Sequence, residues 1–390
     1  MRVLFLCTHL KTGGVERQWS ILLPALQNYG VDVRLLTLSA EGDFFPELRR
    51  EGVPADCIRM RSRADLLGFR RALAIADWKP EVVVSNSVLG TAVAYALAQR
   101  AGAAHVIAEH SMVPTLTATQ RVVRRLLTRR VEGVIAVTRQ QVPALISAGY
   151  RRERISVIPS GIPPLRPTRA RATARAELGL GDNEFAAFLI ATLRREKRAE
   201  FFVDAVVAAN ELDPRIRGFI AGRGRQLERI TSLAESTHGI VRVLGSREDV
   251  PDLIDAADIV CLSSSSEALP MVVIEAMALA RPVLATDVGG TSDLVVSGET
   301  GILVDRDDRA AFTRALTTLV ADRSLLKRYG RAARERYKSL FTVDRMVEAY
   351  AHLLHEYRAQ MKAANGSGDL FKSAATLKAA DHSDKGVELE

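Results

Sequence analysis

Short apolar runs, many of them β-branched, recur along the chain, and longer stretches with helical apolar spacing separate most of them. The pattern predicts strands at 3–7, 33–38, 82–85, 105–108, 133–137 and 155–158. After a break it predicts a second set at 186–191, 217–221, 241–244, 259–262, 282–285 and 301–304. Runs of about four to six residues are too short for core helices, and the strand–helix alternation predicts parallel sheets joined by right-handed crossovers. Twelve strands overfill one sheet and suit two sheets of six. The break at 159–167 holds four prolines and a glycine and reads as a linker. The expected architecture is α/β, with doubly wound domains at 1–160 and 161–342 facing a cleft, where ligands meet the carboxyl ends of strands. A helix is predicted over 343–362, with Met346, Tyr350, Leu353 and Leu354 on one side. The polar stretch at 365–390 predicts a mobile tail.

Composition adds little to that picture until charge is divided between the halves. The 390 residues are 47% hydrophobic and 26% charged, as in an ordinary globular protein, and no apolar run approaches the ~20 residues of a membrane span. Cys7, Cys57 and Cys261 are far apart, lack metal-ligand spacing and read as reduced core thiols of a cytoplasmic protein. The net charge of +8 lies in the first half: residues 1–160 carry +9 and residues 161–390 carry −1. Arg121, Arg124, Arg125, Arg129 and Arg130 cluster at helical spacing beside Val122, Val123, Leu126 and Leu127. Such a helix either lies on anionic lipid or receives an acidic acceptor, or it is a solvated face whose arginine stems cover apolar surface. Nucleic acid is disfavoured, because no aromatic residues interleave with the basic ones.

The most informative segment is 259–280: a strand, the loop Ser263-Ser264-Ser265-Ser266-Glu267-Ala268-Leu269, and a helix with Pro270 expected at its first position. Open N–H groups at a helix start attract phosphate, and the serine hydroxyls are expected to add donors. Glu267 on the loop and Glu275 within the helix bracket the site, and each is able to accept hydrogen bonds from sugar or ribose hydroxyls. The bland alternative makes Glu267 a helix cap and leaves Glu275 in solvent. Glu275 stands among Val272, Ile274, Ala276 and Met277, which argues against full exposure. Other candidates are the paired glycines Gly13 and Gly14 after the first strand and His110 at the end of the fourth. The loops Ala221-Gly222-Arg223-Gly224 and Asp287-Val288-Gly289-Gly290-Thr291 are secondary. Asp305-Arg306-Asp307 follows a strand, so Asp307 or Asp308 reads as a helix cap. No His/Cys/carboxylate cluster points to a metal.

The stretch SSSSEALPMVVIEAMALARPVLATDVGG resembles the donor-binding motif of family 4 retaining glycosyltransferases, in which two glutamates are separated by seven residues. The resemblance extends to about Tyr350. It implies the GT-B architecture, two Rossmann-like domains with a C-terminal helix over 343–364 crossing back to the first. It implies a nucleotide-diphosphate-sugar donor (UDP-, GDP- or ADP-sugar) and no required cofactor. By the same resemblance Glu275 holds ribose and Glu267 reads the sugar hydroxyls. Ala268, Leu269, Pro270 and Met271 supply main-chain contacts, Gly13 and Gly14 reach the phosphates from the other domain, and His110 lies near the sugar. Where the family has Gly-Arg-Leu, three residues and then Lys, this chain has Ala191-Thr192-Leu193 and then Lys197. Lys197 keeps the cation of the phosphate clamp, while Thr192 replaces its arginine. Arg194 or Arg195 would have to reach from a shifted start.

The expected activity is sugar transfer to an anionic, lipid-linked, glycan or small-molecule acceptor, with peripheral membrane contact through the basic first domain. Two rivals stay open, a nucleotide-sugar epimerase of the same architecture and a non-catalytic sugar-nucleotide-binding partner subunit. A plain NAD(P)-binding protein is disfavoured, because no Gly-x-Gly-x-x-Gly follows the first strand.

Overall fold

A computed structural model describes residues 1–10, 13–62, 64–86, 88–110, 128 and 131–380. Its strands form two wholly parallel sheets. The first contains β1 (Arg2–Cys7), β2 (Asp32–Thr37), β3 (Ala55–Cys57), β4 (Val82–Ser85), β5 (Ala104–Glu109), β6 (Gly133–Ala136) and β7 (Ile155–Val157), in the order β3-β2-β1-β4-β5-β6-β7. The second contains β8 (Phe185–Ile190), β9 (Ile216–Ala221), β10 (Val241–Gly245), β11 (Ile259–Leu262), β12 (Val283–Thr286) and β13 (Gly301–Val304), in the order β10-β9-β8-β11-β12-β13. Each order reverses once, between β1 and β4 and between β8 and β11. At such a reversal adjacent crossovers leave to opposite faces and open a crevice at the strands' carboxyl ends.

The first sheet has one strand more than the six expected. β3 is a three-residue edge strand pairing Ala55 with Leu35 and Cys57 with Thr37. It is too short for an alternation to show, and Pro54 precedes it.

Both sheets are buried on both faces, which is why their strands read as near-continuous apolar runs. In the first, Phe5 meets Trp19 edge-on, with ring centroids 5.2 Å apart. The helix beginning at Val343 packs on this same domain, where Met346, Tyr350, Leu354 and Tyr357 join Val3, Phe5 and Leu26 in one core. A methyl at Gly133 would overlap the Tyr357 hydroxyl, so glycine there seats the helix on β6. The helix runs to Ala380, past the end at 362 read from periodicity; no proline interrupts it.

Two chain crossings join the domains and run side by side. Ile162 N donates to Phe341 O at 3.0 Å and Tyr337 Oη donates to Ile162 O at 3.1 Å. Ile162 is fully buried, so this part of the 159–167 segment is a packed crossing, held on the strand-like bridge between Ile162 and Thr342.

Candidate functional site

The wall contributed by the second domain begins where β11 ends. Ser263 and Ser264 continue the strand into the loop and are fully buried. Their hydroxyls are already bonded within the protein, whereas the sequence led to the expectation of free donors. Ser263 Oγ donates to Lys197 O at 2.8 Å, Ser264 Oγ to Glu267 Oε1 at 2.5 Å, and Ser265 Oγ to Glu196 O at 3.3 Å. The Ser263 and Ser265 bonds, with Ser265 N donating to Glu196 O at 2.8 Å, stitch this loop to the turn Arg195–Lys197 after β8, while Ser264 bonds within its own loop. Buried hydroxyls must find acceptors, and here they are backbone carbonyls of that turn for Ser263 and the Glu267 carboxylate for Ser264. Ser266, by contrast, is exposed.

That stitching fixes an ion pair. Lys197 Nζ lies 2.5 Å from Glu267 Oε1, with side-chain exposures of 21% and 8%. Glu267 is thus buried against a cation and a hydroxyl, and it does not cap the following helix. The helix Met271–Ala278 starts one residue later than expected: Pro270 is its N-cap, in extended conformation, and no side chain caps it. Pro270 itself is buried, while Ala268, Leu269, Met271 and Val272 are half-buried.

Glu275 lies on this helix and is 4% exposed. Its partner comes from the opposite domain: Arg17 Nη1 donates to Glu275 Oε1 at 2.6 Å. Buried and paired across the cleft, Glu275 does not stand in solvent, which excludes that alternative. Arg17 belongs to the helix Gly14–Gln27 that follows β1. Gly14 faces Met271, and a methyl built on Gly14 would reach Met271 Cγ at 4.0 Å. The two helix starts therefore oppose each other across the cleft.

Gly13 is the N-cap of Gly14–Gln27, with no side-chain cap bond, and the Glu16 carboxyl folds back over it. Burial pushes the Glu16 carboxyl up, against the opposing pull of its own backbone N–H, His9 and Arg194. A carboxylate thus already occupies the helix start where sequence reasoning placed a phosphate. The two walls also touch at Gly290. A methyl there would collide with Ala268 O and the Thr138 methyl, Arg139 N donates to Asp293 Oδ2 at 2.5 Å, and Gln140 Nε2 to Ser292 Oγ at 3.4 Å.

His110 stands at the carboxyl end of β5, edge-on to Trp19 with ring centroids 6.4 Å apart. The residue is half-buried, yet its Nε2 is shut off from solvent and has no hydrogen-bond partner among the described residues. Burial lowers its pKa to about 4, so the imidazole is neutral at pH 7. Trp19 and Arg17 share a helix, which ties His110 to the same wall.

Thr192 is exposed, and so are Arg194 and Arg195. Gly222 and Gly224, both at φ +153°, allow their loop to lie directly on the carbonyls of Ala191 and Leu193, and this close approach accounts for the glycines. Asp308 caps the helix Arg309–Ala321 through Ala311 N at 2.8 Å, while Asp307 pairs with Arg198 at 3.0 Å. Among the described residues no group of three or more His, Cys, Asp or Glu is placed to hold a metal, and no helix is long and apolar enough to cross a membrane. Cys7 and Cys261 are buried free thiols and Cys57 is half-buried. The arginine cluster at 121–130 lies outside the described residues.

Arg17 is the residue that sequence reasoning passed over. Its signal was weak: one arginine on an amphipathic helix reads as a solvated charge, and its partner is 258 positions away.

Comparison with known proteins follows the same division of the chain. Residues 170–336 match the profile of glycosyl transferases group 1, and residues 13–161 match a glycosyl transferase 4-like domain. A D-inositol 3-phosphate glycosyltransferase of Nocardia farcinica is 32% identical over 269 residues, covering 64% of this chain and 58% of that protein. An N-acetyl-alpha-D-glucosaminyl L-malate synthase of Bacillus anthracis is 28% identical over 185 residues, or 47% of this chain and 48% of that one. The chain thus spans about half the length of these relatives. Among solved structures, Anabaena HepE in complex with UDP superposes with a TM-score of 0.82 at 21% identity, covering 91% of this chain and all of that one. HepE is also solved with UDP-glucose.

Proposed function

From a chain that belongs to the group 1 glycosyltransferases, with the two-domain GT-B fold, we propose an enzyme that transfers a hexose from a nucleotide-diphosphate sugar with retention and without a metal. The observation that carries this reading is the placement of two buried carboxylates on one cleft wall. Glu267 is held by Lys197 of its own domain and Glu275 by Arg17 of the other.

In this reading the donor's ribose hydroxyls take over Glu275, supplying two neutral donors in place of one guanidinium. Arg17, released, turns to the diphosphate and stands in for the arginine missing at Thr192. Lys197 stays between Glu267 and the phosphates. Gly13 and Gly14 present main-chain N–H groups once Glu16 swings aside, and Ala268, Leu269, Pro270 and Met271 line the sugar and diphosphate. As the bond from the anomeric carbon to phosphate oxygen breaks, the electron pair passes to the phosphate. The acceptor oxygen attacks the same face of the sugar and its proton goes to the leaving phosphate. Preorganised cations and helix N–H groups stabilise the charge that develops there. Neutral His110 offers a hydrogen bond to the sugar, and domain contact excludes water as a competing acceptor.

HepE was solved with UDP and UDP-glucose, which makes a UDP-sugar the first donor to try. The two relatives are named for inositol phosphate and malate, both anionic, and the first half of this chain carries +9. Together these favour an anionic acceptor delivered to the first domain.

The test is incubation of purified protein with UDP-, GDP- and ADP-sugars, with and without anionic acceptors, following nucleotide release and product by chromatography. Acceptor-dependent release that Glu267→Ala abolishes supports the proposal. An epimerised donor formed without acceptor would assign an epimerase, and donor binding without turnover would assign a partner subunit.

A further inference from the structure

The second domain has another concavity, at the opposite end of its sheet from the cleft. A pocket of about 560 Å³ lies where β11 and β12 begin, beside Asp258 and Pro282. One wall is Arg171 and Arg281. The other is Arg323, Lys327 and Arg331, and Leu279, Pro282 and Leu326 give it an apolar floor.

The two arginines of the first wall have structural work. Arg171 donates to Asp255 O and Ala257 O and pairs with Asp258 at 2.8 Å, and Arg281 pairs with Asp255 at 2.6 Å. The carboxylates are then spent, since Asp258 also holds Arg175 at 3.1 Å. Burial first, and then the charge of the neighbouring Arg281, lowers the Arg171 guanidinium to about 10.

The other wall has no such account. Arg323, Lys327 and Arg331 are exposed at i, i+4 and i+8 of the helix Arg323–Leu340, and like charges at that spacing oppose the helix that bears them. Among the described residues Arg323 donates to the carbonyls of Asn183 and Glu184, with its charge also felt by Asp213, whose main partner is Arg215, and Arg331 Nε donates to Lys327 O. Among the described residues no carboxylate pairs with any of the three.

We infer that this pocket binds a phosphate ester, its charge taken by Lys327, Arg331, Arg323 and Arg281 and its organic part by Leu279, Pro282 and Leu326. Guanidinium and ammonium groups converging on a concave surface suit the several acceptor oxygens of phosphate. The site is separate from the cleft, because the helix Met271–Ala278 spans the distance between them, about 12 Å. The phosphate comes either from a soluble ester or from a lipid headgroup, and both present the same group to these residues.

The test titrates phenyl phosphate into the whole protein by calorimetry, beside a sedimentation assay with phosphatidylglycerol vesicles. Circular dichroism confirms that each variant is folded. Saturable binding of either probe, weakened about tenfold or more in Lys327→Glu/Arg331→Glu and unchanged in Lys197→Ala, is the expected result. Binding of phenyl phosphate identifies a soluble ligand, and binding of vesicles alone identifies a lipid. The proposal is overturned if neither probe binds or if binding survives the double reversal. Loss in Lys197→Ala alone also overturns it, by placing the ligand in the cleft.

Discussion

The two walls of the cleft are built on the same parallel-sheet plan and finished differently. On the second-domain wall the polar groups other than Glu275 are already committed to one another: Glu267 to Lys197 and Ser264, Ser263 to the turn carbonyls, Ser265 to Glu196. On the first-domain wall they are provisional. Arg17 reaches across to a carboxylate of the other domain, Glu16 covers a helix start, and His110 keeps a buried nitrogen with no partner among the described residues. On one wall the loop groups already have partners within their own domain. On the other they are paired across the cleft, folded over a helix start or unpaired among the described residues, and under the proposed function that difference gives positioning to one side and closure to the other.

Removing the cation from the second-domain wall should have the largest effect. Lys197→Ala is expected to lower kcat about 10²- to 10³-fold in steady-state transfer assays, with the fold intact. A smaller loss would mean that the Lys197–Glu267 pair is scaffolding. Arg17→Ala strikes the provisional wall and should cost roughly 10- to 100-fold in kcat/KM, the scale of one charge-assisted hydrogen bond. Small-angle scattering should also show a more open protein without donor. An unchanged profile would place closure in the Thr138–Gly290 and Arg139–Asp293 contacts instead.

His110 gives a pH signature. Its folded pKa of about 4 lies below the ordinary 6.5, so between those values the unfolded chain binds a proton that the folded chain excludes. Stability from this group is therefore full above about 6.5 and is lost as pH falls toward 4. His105, buried with a pKa of about 3, acts in the same direction. Melting temperature should fall over that window, and less steeply in His110→Gln. Thr192→Arg should sharpen the contrast by adding a fixed cation to the second-domain wall, tightening donor binding about three- to tenfold. No gain would show that Arg17 already fills that place.

Much of this was legible along the chain, for a physical reason. Strands buried on both faces carry continuous apolar runs, so twelve of them stand out, whereas β3 is three edge residues with nothing to alternate. The two glutamates are visible because their spacing is local, set by one loop and one helix. The ion pair between Arg17 and Glu275 is invisible to any local pattern, since it exists only when two domains meet. The serines mislead for a related reason: a hydroxyl's partner depends on which backbone folds against it, and here that is the turn at Lys197.

The central claim is that the buried carboxylates and their cations form a donor site. Thermal denaturation against a panel of UDP-, GDP- and ADP-sugars tests it most directly, because a ligand that binds only the folded state raises the melting temperature. The account predicts that at least one of these raises it for the native protein and that Glu275→Ala loses most of the shift. No shift from any of them, or a shift undiminished in Glu275→Ala, would contradict it.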